Sequence, residues 1–461
     1  MDQEFADRVT RDQLELARSI WNGDPLAPIE VRRDSRTPVA ASAFDVDRLL
    51  GSTAGFATAE LAAFPDGHVD QHMINLEHLV AWTASSVRVD GAPVPQWAEL
   101  SGMYETGDRR HLQIHANFPH HAAGVIEHLG TSATRDALAA AIAERDGEEL
   151  ETELIERGMV AALVRDLDQW SRHPHAAATD TLPLVTVDRI GDAPGGTHPS
   201  MHDLRVLDCS RVLAGPVAGQ LFATAGADVL RVGAAHLPTV EVGVLSTGFG
   251  KRNTDLDLRT RVGRAAMDEL LGTTDVWIDA YRPGALSGLG VDPRRAAELR
   301  PGIVIVQISA FDAEPDTRGP WAGRRGHDSI VQSTTGVRAA GGTHAVDATG
   351  DPLEATPRGL PVQALDHATG FLAAGVAARL VARQRAEGGS WLARLSLLRT
   401  RNRLVALGGP ATYTPTPVDV GTTWCDTVTA DIGRVTAVRP FVGRWTGPPM
   451  ALGSSRARWR R

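Results

Sequence analysis

From Asp203 onward, short β-rich runs alternate with helical ones, and this alternation restricts the chain to few architectures. LRVLDCS (204–210) reads as an apolar strand, GPVAGQLFATAGA (215–227) as a small-residue helix and DVLRVG (228–233) as a second strand. A short strand at Asp255–Leu258, a helix at Arg259–Leu271, the strand DVWIDAY (275–281), a helix around Pro293–Leu299 and the β-branched run IVIVQISAF (303–311) follow. PVQALDHATGFLAAGVAARLVARQ (361–384) is a helix with Ala and Leu on its buried face, stopped by Gly388-Gly389, and LARLSLL (392–398) is a strand. Such spacing implies an α/β fold, a doubly wound, Rossmann-like parallel sheet. Ligands of such sheets bind at the carboxyl ends of the strands. Here those ends carry Arg211–Pro216, Tyr281–Ala285 and the residues from Phe311 onward.

The first 200 or so residues differ in texture. Helical periodicity at Asp12–Trp21, loop and helix at Ala116–Leu129 and Ser132–Arg145, helix over Leu150–Leu163 and a strand at LPLVTVDRIGD (182–192) suggest a smaller α+β domain. Gly191–His202, with three glycines and two prolines, is the best linker. The expected division is 1–197, a strand-and-helix core at 198–400 and a return segment at 401–461 with one more strand at Gly433–Val438. Asp47, Gly51 and Leu61 echo Asp366, Gly370 and Leu380 at a constant offset of 319. If the echo is real, the front of the chain is a diverged partial copy of its later part.

Charge narrows the function classes. With 47 basic and 56 acidic residues and a net charge of -9, the chain lacks the basic stretch of a nucleic-acid binder, and its terminal arginines read as a solvated tail. No apolar run approaches the ~18 residues of a membrane span, and Met1–Arg18 has no export signal. Cys209 and Cys425 have neither CxxC nor Cys/His spacing, which argues against disulfides or zinc and for a reducing cytoplasm. Lys251 is the only lysine among the 47 basic residues.

Phosphate-loop, dinucleotide, nucleophile-elbow and HExxH signatures are all missing. His115, His120 and His121 in HANFPHH lack helical metal spacing and read as a surface turn. What remains is an ordered series: RVLDCSRVLAGPVAGQ, AGADVLRVG, GKRNTDLDL, AYRPGALSGLG, GHDSIVQSTTG and PVQALDHATG. In this order and spacing, over about residues 203–400, the series resembles the family III CoA-transferases, whose relatives include formyl-CoA transferase, carnitine CoA-transferase and α-methylacyl-CoA racemase.

The resemblance implies coenzyme A or acyl-CoA as a substrate, a carboxylic acid as its partner, no metal, and a homodimer or a pseudo-dimeric monomer. It places CoA contacts on Val212, Leu213 and Ala214, where small residues let backbone approach a ligand. Lys251 and Arg252 fall on a basic pair that suits the phosphates, Tyr281 flanks the adenine and Arg282 meets phosphate, with Arg325 and Asp328 as further contacts. An Asn expected at Ala280 and a cation expected after Gly233 are absent, so Arg324 and Arg325 are candidate replacements. Each of these also has a plainer reading as a tight turn or a solvated surface pair.

By the same resemblance the nucleophilic aspartate falls on Asp366, in Asp-x-x-x-Gly at the start of a small-residue helix. As an N-cap it is stabilised as an anion by free N–H groups, which is also its structural reading. His327, in Gly-His-Asp, matches the base of the racemases, so an epimerase using His327 and Asp366 stands beside the transferase. The nearest candidate for the family's glycine-rich covering loop is Gly341-Gly342. The missing Asn, cation and loop keep a degenerate, non-catalytic CoA-binding protein as a third reading.

Overall fold

The computed structural model describes residues 2–21, 26–35, 37–196, 200–312 and 319–460, so the boundary drawn between 197 and 198 lies outside the described residues. At its centre is a seven-stranded sheet in the order Arg252–Asp255, Asp228–Gly233, Arg205–Cys209, Val276–Asp279, Val304–Ser309, Ser390–Ser396, Thr186–Gly191. The first six strands are parallel and the last is antiparallel. Numbered along the chain, the six parallel strands run 3-2-1-4-5-6, the dinucleotide-fold order, which reverses between Arg205–Cys209 and Val276–Asp279. A crevice opens at that reversal because successive connections leave for opposite faces of the sheet.

Buried apolar residues hold the strands on both faces: Val206, Val276, Ile278, Val304 and Val306 on one, Leu207, Leu230, Trp277 and Ile305 on the other. The 24-residue helix Ala364–Glu387 lies on the first face, nearly all of it buried. Against it packs the helix Val46–Ala62, the segment that echoes it in sequence. A Cβ on Gly375 would sit 2.5 Å from the Phe56 ring, so glycine sets the close approach of the two helices. Their buried ion pair, Arg379 to Glu60 at 3.0 Å, joins positions that also differ by 319.

The front of the chain builds a small α+β unit. Gly102–Glu105, His111–Ile114 and Ala161–Leu163 form an antiparallel sheet under the helices Arg135–Ala143 and Gly147–Glu156. Leu112, Ile114, Leu138, Ile142, Leu150 and Leu154 fill its core. The unbroken helix expected over Leu150–Leu163 ends at Glu156, because Gly158 takes a left-handed φ of 77° and the chain turns into a strand. The strand expected at Asp255–Leu258 is shifted back to Arg252–Asp255.

Two segments tie the chain's ends to its middle. Thr186–Gly191, from the front, completes the large sheet, and Cys425–Ala430 and Gly433–Val438 share a sheet with Val87–Val89. The C-terminal backbone runs along the sheet edge: Ser455 N donates to Asn253 O at 2.7 Å and Arg460 N to Asp228 at 2.7 Å. The expected free tail is therefore a strap that covers an edge strand, with the Arg456 and Arg458 side chains exposed and Arg460 Nε 3.8 Å from Asp228.

Candidate active site

A cavity of about 470 Å³ occupies the crevice at the strand-order reversal. Its floor is the turn after Arg205–Cys209, where Arg211, Val212, Leu213 and Ala214 lead into the helix Ala214–Ala225. Gly215 makes this turn feasible, since a Cβ there would come within 2.5 Å of Ser210 and 2.7 Å of Ala280.

Asp366 lines the cavity while remaining 7% exposed. It is the third residue of its helix rather than the N-cap, a place taken by Gln363. The helix start is instead capped from outside: the buried Asp328 carboxylate accepts the N–H of Asp366 at 2.9 Å, the N–H of Leu365 and the Gln332 amide. Asp366 in turn accepts the N–H of Ala214. Burial, and secondarily the Asp328 charge, pushes the Asp366 carboxyl well above the ordinary aspartate range, and burial pushes Asp328 up to about 6. The expectation of a carboxylate held ionised by a helix terminus is thus corrected, because Asp328 already uses the N–H groups that would have done so.

Gly370 explains the Asp-x-x-x-Gly spacing. A Cβ there would sit 2.6 Å from Ala214 O and 2.7 Å from Val217, so glycine lets the turn that supplies the Ala214 N–H reach Asp366. Gly370→Ala is expected to destabilise the fold by about 1–3 kcal/mol, read as a lower midpoint of thermal unfolding, and to slow any reaction at Asp366.

His327 also lines the cavity, its ring stacked on His115 at 4.0 Å. Burial, then the neighbouring His115, His121 and Arg211, holds it well below the usual imidazole range, so it is neutral at pH 7. Toward the mouth the lining includes Tyr281, Arg282, Arg325, Arg259 and His236. Arg282 and Arg259 are exposed there, and guanidinium groups at such a mouth match phosphate oxygens.

Residues 201–408 match the model of CoA-transferase family III. Over these residues the chain is similar to that family. It is 32% identical over 196 residues to the probable fatty acyl-CoA transferase Rv3272 of Mycobacterium tuberculosis, which covers 39% of this chain and 46% of that protein. Over 175 residues it is 31% identical to the succinate–glutarate CoA-transferase of Agrobacterium fabrum, covering 34% and 42%. A crystal structure of Rv3272 aligns with 48% of this chain and 57% of that one, at 26% identity and a TM-score of 0.37. The chain thus spans less than half the length of these two curated relatives.

The site residues expected from the sequence divide into two groups. Asp366, His327, Val212, Leu213, Ala214, Tyr281, Arg282 and Arg325 come together around the cavity. Lys251, Arg252 and Asp328 do not line it. Lys251 is 2% exposed beneath the helix Ala214–Ala225, where its ammonium donates to Asp208 at 2.7 Å and to Pro216 O at 2.5 Å. Arg252 bonds Asp228 at 2.9 Å and the Arg458 carbonyl at 2.6 Å. Both are corrected from phosphate contacts to supports of the sheet, and Asp328 from a CoA contact to the cap of the Asp366 helix.

Two further expectations change. Arg324 reaches the cavity but is committed to Ala161 O at 2.7 Å and Glu151 at 3.4 Å. Gly341 and Gly342 lie inside the helix Val337–Thr343 against the Arg358 and Thr356 carbonyls, so they form no covering loop.

The reading of HANFPHH as a surface turn is also overturned. Phe118, His120 and His121 line the cavity, and His115 and His121 are each 4% exposed. The small sheet places them: His115 follows the strand His111–Ile114 and its N–H donates to Val160 O at 2.9 Å. Arg211 was visible in sequence only as part of a strand end, yet its guanidinium lies 4.7 Å from the Phe118 ring centre. Among the described residues, no helix is long and apolar enough to cross a membrane, and no group of three or more His, Cys, Asp or Glu side chains could hold a metal ion.

Proposed function

We propose that this chain transfers CoA from an acyl-CoA to a carboxylic acid through an aspartyl-CoA thioester on Asp366. The observation that carries the reading is the Asp366 carboxyl opening on a cavity at the strand-order reversal, held by the Ala214 N–H and by a helix start fixed through Asp328.

The Asp366 carboxylate attacks the thioester carbonyl, and collapse of the tetrahedral adduct breaks the C–S bond to give a mixed anhydride and CoA thiolate. The thiolate then attacks the aspartyl carbonyl, releasing the first acid and leaving the aspartyl-CoA thioester. An incoming carboxylate repeats the two steps in reverse, so charge and atoms balance without a redox partner or a metal. Burial favours this route, since a desolvated carboxylate is a stronger nucleophile than a hydrated one.

The neutral state of His327 favours transfer over epimerisation. A base that removes an α-proton works best with a conjugate-acid pKa near the working pH, and His327 is held well below that range. Its place beside the cavity suits a packing and hydrogen-bonding part.

The front of the chain is best read as a diverged partial copy, with 1–197, 198–400 and 401–461 as its divisions. Supporting this, Asp47 stands at the position that echoes Asp366, but it is bound by Arg33 at 3.1 Å and by the N–H groups of Val39 and Ala40. A pseudo-dimeric monomer follows more naturally than a homodimer, because the front already contributes Phe118, His120 and His121 to the cavity. A reducing cytoplasm suits the two unpaired cysteines.

The test is trapping. With an acyl-CoA present, borohydride should reduce the thioester of Asp366, or hydroxylamine convert it to a hydroxamate, and peptide mass spectrometry should place the change on Asp366. An adduct elsewhere, or none across a panel of acyl-CoAs, would remove the reading.

A further inference from the structure

Four residues of the small α+β unit, Phe118, His120, His121 and Val160, form one wall of the cavity on which Asp366 opens, and the rest of the lining lies between Cys209 and Leu397. Phe118 and Val160 are sealed from solvent, at 3% and 2% exposure. Three arginines of the later part of the chain grip this unit. Arg324 donates to Ala161 O at 2.7 Å and Arg325 to Gly158 O at 2.9 Å, both of them backbone contacts beside the strand Ala161–Leu163. Arg211 reaches from the turn after Arg205–Cys209 and sets its guanidinium carbon 4.7 Å from the centre of the Phe118 ring.

Arg211 is placed for this ring rather than for an ion pair. One arm of its guanidinium donates to the Pro238 carbonyl, and its charged neighbours among the described residues are Arg231 and Arg325, with no carboxylate. A half-buried cation is drawn to the negative face of an aromatic ring, and the attraction grows as water is excluded. The ring is fixed from its other sides as well. Its centre lies 5.5 Å from that of His121 and 6.2 Å from that of His327, and the Phe118 carbonyl accepts the N–H groups of His121 and Ala122. The chemistry has a use for such a wall. Water competes with the incoming carboxylate for an anhydride or thioester on Asp366: it adds to the carbonyl, the C–O or C–S bond breaks, and one water is consumed to give free acid, free CoA and the original Asp366. An apolar cover over the reacting carbonyl keeps that competitor out.

We propose that Phe118 shields the Asp366 intermediates from water and that Arg211 holds its ring in place, so that this pair sets the partition between transfer and hydrolysis. Phe118 lines the reaction space, and Arg211 is a positioning residue that acts through it. The proposal rests on the transferase reading and gives the front of the chain a direct part in the reaction, since the ring comes from there and the cation from the later part.

Both fates are read on one preparation. Acetyl-, butanoyl- and decanoyl-CoA are compared, and the one that gives most Asp366 adduct is the probe. Transfer is the rate at which its isotopically labelled parent acid enters the thioester, and hydrolysis is the steady rate at which CoA thiol appears with no acid added. Their ratio is independent of the fraction folded. In the wild type, hydrolysis is expected at less than about 1% of transfer. Phe118→Ala should raise the hydrolysis-to-transfer ratio at least about 10-fold, while Phe118→Tyr, which keeps the ring face, should stay within about 3-fold of the wild type. Arg211→Met should raise it about 3- to 10-fold, and adding this change to Phe118→Ala should alter little further, because the two side chains act as one contact. Wild-type hydrolysis as fast as transfer, or an unchanged ratio in Phe118→Ala, overturns the proposal and, with an Asp366 adduct formed, leaves the transferase reading standing. So does an equal loss of both rates in Arg211→Met, which would assign that cation to CoA itself. No adduct with any of the three thioesters removes the transferase reading and this proposal with it.

Discussion

Replacing Asp366 by Asn should lower kcat for CoA transfer by at least about 10³-fold while raising the midpoint of thermal unfolding at neutral pH. The loss follows from chemistry: an amide cannot form the anhydride or the aspartyl thioester. The gain follows from burial, because the Asp366 carboxyl is held well above its ordinary value of 3.8 in the folded chain. A group raised in this way contributes stability that is complete below the unfolded pKa and is lost as pH rises through the folded one. At pH 7 the unfolded chain is favoured by an ionisation that the native site resists, and the isosteric amide removes that difference. The stability gain should therefore be present at pH 7 and vanish as pH falls toward 3.8. In the wild type, kcat/KM should fall on acidification with an apparent pKa above that of a free aspartate. Calorimetric scans at several pH values, with steady-state rates on the same samples, check both halves. An Asn variant of unchanged activity, or one less stable at pH 7 than the wild type, would contradict the account.

The second large effect concerns the lone lysine. Lys251→Ala is expected to cost about 3–5 kcal/mol of folding stability, because the Asp208 carboxylate is left buried without its cation. Loss of CoA affinity is not the primary consequence, since Lys251 lies outside the cavity. Nor should Lys251→Arg restore the wild type. Helix backbone closes over the pair so tightly that a Cβ on Gly219 would lie 2.6 Å from Asp208 and 3.0 Å from the Lys251 ammonium, leaving no room for a guanidinium. Removing both charges in Asp208→Leu with Lys251→Met should recover much of the loss, as neither ion then remains unpaired. Urea titrations of the single and double variants measure this, and titration with CoA separates stability from binding.

Much of the domain around Asp366 was legible from local pattern. Val304–Ser309 and Val276–Asp279 announce themselves by β-branched and aromatic runs, and the turn at Arg211–Pro216 by its small residues, so the strand ends that form the crevice are legible in the sequence. Asp366 and Gly370 were legible as a pair, although the reason for the spacing, a carbonyl of another helix pressed against Gly370, is a tertiary contact. What local pattern could not convey were partnerships between distant segments. The counter-ion of Lys251 lies 43 positions earlier on a strand of no evident charge pattern. His121 meets Arg211 only because a three-stranded sheet carries it there, and nothing near HANFPHH distinguishes a cavity wall from a surface turn. Asp328 next to His327 invited a ligand-binding reading, whereas its three accepted hydrogen bonds make it a helix cap.

The burial of Lys251 has a chemical consequence if the proposed transfer of activated acids takes place on this chain. Acyl thioesters and mixed anhydrides acylate amines without assistance, and ε-amino groups are the usual casualties on a protein surface. Here the single ε-amine in 461 residues is enclosed and held as an ammonium by Asp208, so the folded surface presents arginine wherever it needs a cation and offers no lysine to stray acylation. An amine-directed reagent would find this side chain only when the domain opens, and its rate of modification would serve as a single-site clock of that opening.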